Sequence, residues 1–159
     1  MGCNHEKWHL FIKPEDDANR QIVNGFVMKL SMEAQSKIHV DKPANGYHKA
    51  LEFIRDANLE RYPQRRLLVV IDYDRSVELR QRLVNDYAAI CDRVFVLGAQ
   101  RDAEALKRSL QKSFAKCGAA IADDCASCAC ELWNNSTLNH NREFLDRLCP
   151  EIARELFGK

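Results

Sequence analysis

No stretch of this chain approaches the ~18 consecutive apolar residues of a membrane-crossing helix, so a membrane partner is not expected. Its first residues, MGCNHEKWHLF, lack the basic segment and long apolar run of a secretory leader. Glu6 stands where a myristoylation signal beginning at Gly2 has Ser or Thr. The expected location is the cytoplasm. Neither sign of charge is in excess: 24 Lys and Arg oppose 23 Asp and Glu, for a net +1. Bulk charge therefore neither demands nor excludes a nucleic-acid partner, because a local patch decides. Internal repeats and low-complexity segments are absent.

A disulfide framework is not expected, because the seven cysteines are an odd number and the sequence shows no secretory signal. Cys125, Cys128 and Cys130 form C-x-x-C-x-C, and Cys117 or His140 would have to complete a zinc site. The second ligand pair of a structural zinc site is missing. The segment reads as a small-residue helix in which cysteine packs as a small hydrophobe, so zinc is not expected.

What is present is a chain of 159 residues, 46% apolar and 30% charged, enough for one domain with a sizeable core. Its most informative stretch is RRLLVVIDYDRS, residues 65–76. The run Leu67 to Ile71 reads as a strand buried on both faces, as in a parallel sheet. Asp72 and Asp74 follow at its carboxyl end, where open α/β sheets bind ligands. On a strand, residues i and i+2 face the same side, and two such carboxylates repel unless a cation or proton lies between them. A hard divalent ion, Mg2+ or Mn2+, suits that pair. The plainer alternative is a polar strand-to-helix turn that caps the helix beginning near Ser76.

Around this strand, residues 8–12 and 38–40 read as strands, and 93–97 as another buried one. The apolar spacing predicts helices over 15–36, 47–60 and 76–90. KPANG, residues 42–46, is a loop with positive φ at Gly46. Helical stretches follow over 101–112, 113–130 and 139–157, the last with a break near Pro150. Alternating strands and helices predict an α/β fold: a mostly parallel four-stranded sheet with helices on both faces over residues 8–100, and a helical C-terminal extension over 101–159 packed on it.

Glu15, Asp16 and Asp17 crowd the end of the first strand. Helix-dipole complementarity alone accounts for acids there. If the first strand neighbours the one ending at Asp72, both acidic groups also face one crevice. An acidic residue after a first strand, then a helix, then a later strand ending in D-x-D resembles the Toprim domain of topoisomerases, primases and overcoming-lysogenisation-defect nucleases. The resemblance spans roughly residues 8–100, with VVIDYD as its best match. Where that family has Glu-Gly at the strand end, this chain has Lys13-Pro14, and Glu15 is displaced by two residues. The resemblance implies Mg2+-dependent phosphodiester chemistry on nucleic acid, DNA favoured over RNA. Asp72 and Asp74 would be metal ligands, and Glu15 a further ligand and acid/base, with Asp16 or Asp17 as substitutes. Lys13, Arg75 and Arg101 would contact the nucleic acid. It also implies a bacterial defence or mobile-element setting with a partner ATPase.

Two other readings start from the same residues. DYDRSV also resembles the nucleophile loop of haloacid-dehalogenase-like phosphatases, with Asp72 as nucleophile and Asp74 as acid/base. That reading needs Lys112 or Lys116 and the pair Asp123 and Asp124 at a later strand end, although residues 113–125 read as helix. A Toprim-like scaffold without catalysis, working as a partner protein, is the third. His140 reads as part of a capped, half-exposed turn.

Overall fold

The protein is described by a computed structural model covering residues 3–74, 76–127 and 131–159. Four strands, β1 (His9–Pro14), β2 (Ile38–Val40), β3 (Arg65–Val70) and β4 (Val94–Leu97), form one sheet in the order β2-β1-β3-β4. Every pairing is parallel, with His9 opposite Arg65 and Pro14 opposite Val70 in the central pair. The helices are α1 (Asp17–Val27), α2 (Met32–Gln35), α3 (Tyr47–Asp56), α4 (Val77–Ala88), α5 (Ala103–Leu110), α6 (Phe114–Ser127) and α7 (Arg142–Phe157). The predicted α/β class, the four strands and the helical C-terminal part are all present, and the sheet is parallel throughout.

Strand alternation sorts the side chains between two helical layers. Leu10, Ile12, Leu68 and Val70 face the layer that contains α1, α6 and α7. Phe11 points the other way and stacks on Phe53 of α3 at 5.6 Å. β3 and β4 have neighbours on both faces, so Leu67, Val69, Val94 and Val96 are fully buried. This is why their sequence is a continuous apolar run and not an alternation. Phe144, Leu145, Leu148 and Ile152 of α7 belong to the same core. Arg66 of β3 and Trp8 both bond Glu151 of α7 at 2.7 Å.

Close approach of α1 and α6 depends on two glycines. A Cβ on Gly118 would lie 1.8 Å from the Ile22 carbonyl oxygen, and one on Gly25 would lie 2.0 Å from that of Ala115. Gly25 weakens α1 by propensity but permits the contact that covers the sheet.

Two expectations are corrected. The helix predicted over 15–36 is two helices: α1 ends at Val27, and Ser31 caps α2 by accepting from the Ala34 amide at 3.2 Å. The turn between them buries Leu30. Conversely, α7 runs through Pro150 without ending. Leu148 and Ile152, buried on either side of the proline, hold the helix in place, so packing overrides the lost backbone bond.

Candidate functional site at the carboxyl edge

The chain steps from β1 to β2 on one side, then returns past β1 to β3 on the other. The carboxyl ends of β1 and β3 therefore border the point where the winding reverses, the usual ligand crevice of open α/β sheets. Glu15 extends the β1–β3 pairing by one bond, its amide donating to the Val70 carbonyl at 2.8 Å. Its own carbonyl accepts from Asn45 at 2.7 Å, so the 42–46 loop clamps it from the far side. That loop turns through positive φ at Asn45 (60°) and at Gly46 (147°), the latter as expected.

The expected neighbourhood of Glu15 and Asp72 is present. Glu15 Oε2 accepts from the Asp72 backbone amide at 2.6 Å. Asp16 caps α1, accepting from the Asn19 amide at 2.9 Å. The Asn19 side-chain nitrogen then donates to Asp16 Oδ1 at 3.0 Å and to Asp72 Oδ1 at 3.1 Å. Asp72 Oδ1 also accepts from the amide of Ala103, the first residue of α5, at 3.1 Å. Glu15, Asp16 and Asp72 thus meet through backbone amides and one buried asparagine.

Burial pushes the Asp72 carboxyl up to about 7, and the charges of Asp16 and Glu15 add to it, while Asn19 and the Ala103 amide oppose. Glu15 is raised as well, again mainly by burial, with Asp16 and Asp74 pushing the same way. The Asp72 amide and Arg80 pull it down. Near neutrality the crevice is therefore poised between holding a proton and needing a cation.

Asp74 departs from the expected geometry. β3 ends at Val70, and Asp74 lies in a turn at φ 54°, with its amide donating to the Arg101 carbonyl at 2.5 Å. The two aspartates are therefore not an i, i+2 pair on a strand. Asp74 has a 63% exposed side chain facing Arg80 at 3.6 Å. Arg80 of α4 reaches back, donates to the Asp72 carbonyl and lies 3.8 Å over the Tyr47 ring. Asp17 is exposed and bonds Arg20 and Gln21 within α1.

The expected nucleic-acid contacts are dispersed. Lys13 is 6% exposed, pairs with Asp41 at 2.9 Å and lies over the Phe53 ring, on the α3 side of the sheet. Arg101 is exposed and lines a shallow groove with Asp74, Gln100, Ser136 and Thr137. Arg75 lies outside the described residues, as do Cys128 and Cys130. Cys117 and Cys125 are buried on α6, as expected of packing cysteines.

The acid pair required by the phosphatase reading does not reach this edge. Asp123 pairs with Lys29 at 3.2 Å, just beyond the C-terminus of α1 and so toward the opposite edge of the sheet. Asp124 accepts from the amides of Glu131 and Leu132.

Three contributors escape sequence reasoning. Asn19 and Arg80 are two. The third is Asn141, 1% exposed, which accepts from the Gly98 amide at 2.9 Å and donates to the Gly98 carbonyl at 3.0 Å, tying the extension to the end of β4. Asn19 carries a signal: it is a polar residue on the Ile22, Val23, Phe26 face of α1, three residues after an N-cap aspartate. His140 stands in a short 3-10 turn, its ring 4.6 Å from that of Tyr73.

The oxygen-only donor set of Glu15, Asp16 and Asp72 suits a hard cation in kind. Among the described residues, however, no three His, Cys, Asp or Glu side chains already gather closely enough to hold one. Each carboxylate accepts N–H donors through one oxygen, and side-chain movement would be needed to gather three of them on one ion. No protein-family model, curated protein or solved structure matches this chain. Among the described residues no helix is long and apolar enough to cross a membrane.

Proposed function

We propose that the crevice binds a divalent cation, Mg2+ or Mn2+, and carries out phosphodiester cleavage on nucleic acid, as the Toprim-like reading implies. One observation carries this: the Glu15 carboxylate, from the end of β1, accepts the amide of Asp72, at the end of β3. Acidic groups from two neighbouring strands therefore share the one crevice that the topology opens. Asp72, Asp16 and Glu15 would hold the cation, which supplies a Lewis acid for a phosphoryl oxygen and an oriented nucleophile. Glu15, with its raised affinity for a proton, is suited to accept and return one. Asn19 fixes Asp16 and Asp72 relative to each other. Arg80 offers a positive charge to a phosphate once released from Asp74. DNA remains the favoured substrate, the cytoplasm the favoured location, and an ATPase of a defence or mobile-element system the favoured partner.

A second reading has its own support. The tie between Asp74 and Arg80, and the absence of a ready three-ligand cluster among the described residues, favour a non-catalytic partner protein on the same scaffold.

A thermal-shift titration with Mg2+ and Mn2+, wild type beside Asp72→Asn, separates the two. Saturating metal stabilises the folded state by mass action, about 2.7 kcal/mol at a hundredfold excess over Kd, or roughly 8 °C for a chain of this size. The expected result is a shift in the wild type that Asp72→Asn loses, together with metal-dependent cleavage of DNA. No shift at millimolar metal and no cleavage would remove the nuclease reading and leave the partner protein.

A further inference from the structure

Five cations around α5 have no counter-charge. Arg101, Lys107, Arg108, Lys112 and Lys116 are exposed, and none of them forms an ion pair among the described residues. Arg20, Lys29 and Arg142, also exposed, pair with Asp17, Asp123 and Asp146. The acids within residues 101–116 are Asp102 and Glu104. Asp102 is spent as the N-cap of α5, accepting from the Ala105 amide at 2.7 Å.

The fold sets these charges on the crevice side of the molecule. The Ala103 amide donates to Asp72, so α5 starts at the crevice. At 1.5 Å per residue, α5 (Ala103–Leu110) carries the chain only about 12 Å before it turns at Gln111, φ 54°. α6 then runs alongside α1 in the same direction: Gly118 lies against the Ile22 carbonyl and the Phe26 amide, and farther along Asp123 meets Lys29. The residues that open α6 therefore lie toward the end of α1 that Asp16 caps. Lys107 Nζ stands 5.0 Å over the Phe114 ring, which folds the last turn of α5 onto the first turn of α6. Arg101 borders the shallow groove that contains Asp74.

Charge of one sign gathered in this way attracts an extended polyanion. The chemistry of the face selects among polyanions. The large exposed apolar side chains, Met28, Met32, Leu79 and Ile90, all lie elsewhere. A membrane-binding face would insert such groups, and a protein interface would have an apolar centre. Here the exposed residues between the cations are Ser109, Gln111 and Ser113, whose side chains bond phosphate oxygens.

We propose that this face binds the phosphodiester backbone of nucleic acid, with Arg101 at the lip of the crevice and Lys107, Arg108, Lys112 and Lys116 along the strand that leads away from it. The inference rests on the nucleic-acid reading of the crevice and gives backbone contact to this face in place of Lys13, which Asp41 already holds. Phosphate contacts position a strand without reading its bases, so binding here is independent of sequence.

The test is fluorescence anisotropy of the full chain with a labelled duplex oligonucleotide and its single strand. EDTA keeps metal and cleavage out of the measurement. A triple variant, Lys107→Gln, Arg108→Gln and Lys112→Gln, is compared with a charge-matched control, Lys7→Gln, Arg61→Gln and Arg154→Gln. Wild-type affinity is expected to fall steeply between about 50 and about 200 mM salt. The first triple should weaken duplex binding about a hundredfold near 0.1 M salt and lower the log–log salt slope by about 2.7; the control should keep the slope. No binding of either oligonucleotide by the wild type, equal losses in the two triples, or binding only to phosphatidylserine vesicles would each overturn the proposal. Binding in EDTA that the first triple loses, with no cleavage in Mg2+, would uphold this face and remove the nuclease reading. Cleavage that needs Asp72 and is unchanged in the first triple at low substrate would do the reverse.

Discussion

The two edges of the sheet hold buried charges of opposite sign on backbone groups of the opposite polarity: carboxylates on amides at one, arginines on carbonyls at the other. At the carboxyl edge, Asp16 and Asp72 accept from amides at the N-termini of α1 and α5, and Glu15 from the amide of Asp72. At the amino edge sits Arg65, a guanidinium only 6% exposed. It donates to the Ala57 carbonyl at 2.8 Å and to His9 Nε2 at 3.1 Å, and meets His5 Nδ1 at 3.2 Å, with the Tyr62 ring 4.2 Å away. No carboxylate pairs with it among the described residues. Nearby, Arg93 donates to the carbonyls of Leu59, Tyr62 and Arg65. Parallel strands place every carboxyl end on one side, and the helices that follow begin there and end on the other. Exposed amides therefore gather at one edge and exposed carbonyls at the other. Carboxylates that accept from amides at one edge and guanidiniums that donate to carbonyls at the other follow from that polarity.

The largest test of this contrast is Arg65→Met. It removes the donor from the Ala57 carbonyl and from two imidazoles that must accept, because arginine has no acceptor to offer. A stability loss of about 3 kcal/mol in urea denaturation is expected; a loss below about 0.5 kcal/mol would mean that the amino edge solvates its carbonyls without help.

Asn19→Ala strikes the opposite edge. Without the shared amide, Asp16 and Asp72 face each other with one donor fewer. A loss of about 2 kcal/mol is expected, together with a further rise in the titration point of Asp72, readable by carboxyl-carbon NMR. An unmoved Asp72 would show that Asn19 is a packing residue only.

The smallest effect, and the sharpest contrast, is in pH. Asp72 and Glu15 titrate above the ordinary carboxylate range in the folded protein. The fold therefore holds protons that the unfolded chain has already released, and stability falls as pH rises from about 4 to about 7. His9 has the opposite sign. Burial holds it below its ordinary 6.5, with Arg65 and His5 pushing the same way, so the unfolded chain takes its proton first. That contribution is present above pH 6.5 and is lost as pH falls. Asp72→Asn should thus gain on the wild type between pH 5 and pH 8, by about 1 kcal/mol after discounting for partial exposure. His9→Gln should gain on it between pH 7 and pH 5. Parallel urea midpoints across pH for all three proteins would refute the assignment of these two groups.

Much of this architecture is legible in the residues alone. The run Leu67 to Ile71 can be buried only between two layers, and the apolar spacing of Ile22, Val23 and Phe26 can belong only to a helix with one covered face. Asp72 at a strand end, beside acids from a second strand end, is legible for the same reason. Asp74 is not: i, i+2 logic holds on a strand, and the strand stops four residues earlier. Lys13 reads as a free cation because its partner, Asp41, lies 28 residues away. Arg80 gives no signal, since a helix arginine reads as solvated unless the turn it reaches back to is known. The split at Ser31 and the continuity through Pro150 are decided by which side chains find burial, and local propensity is the weaker force.

Element order, the parallel sheet and the end at which acids gather follow from the sequence alone, because hydrophobic period and strand-end charge are local properties. Tertiary packing settles which acids meet and which cations are already spent. Those outcomes depend on pairs far apart in the chain, and their energies exist only once burial has removed water from between them.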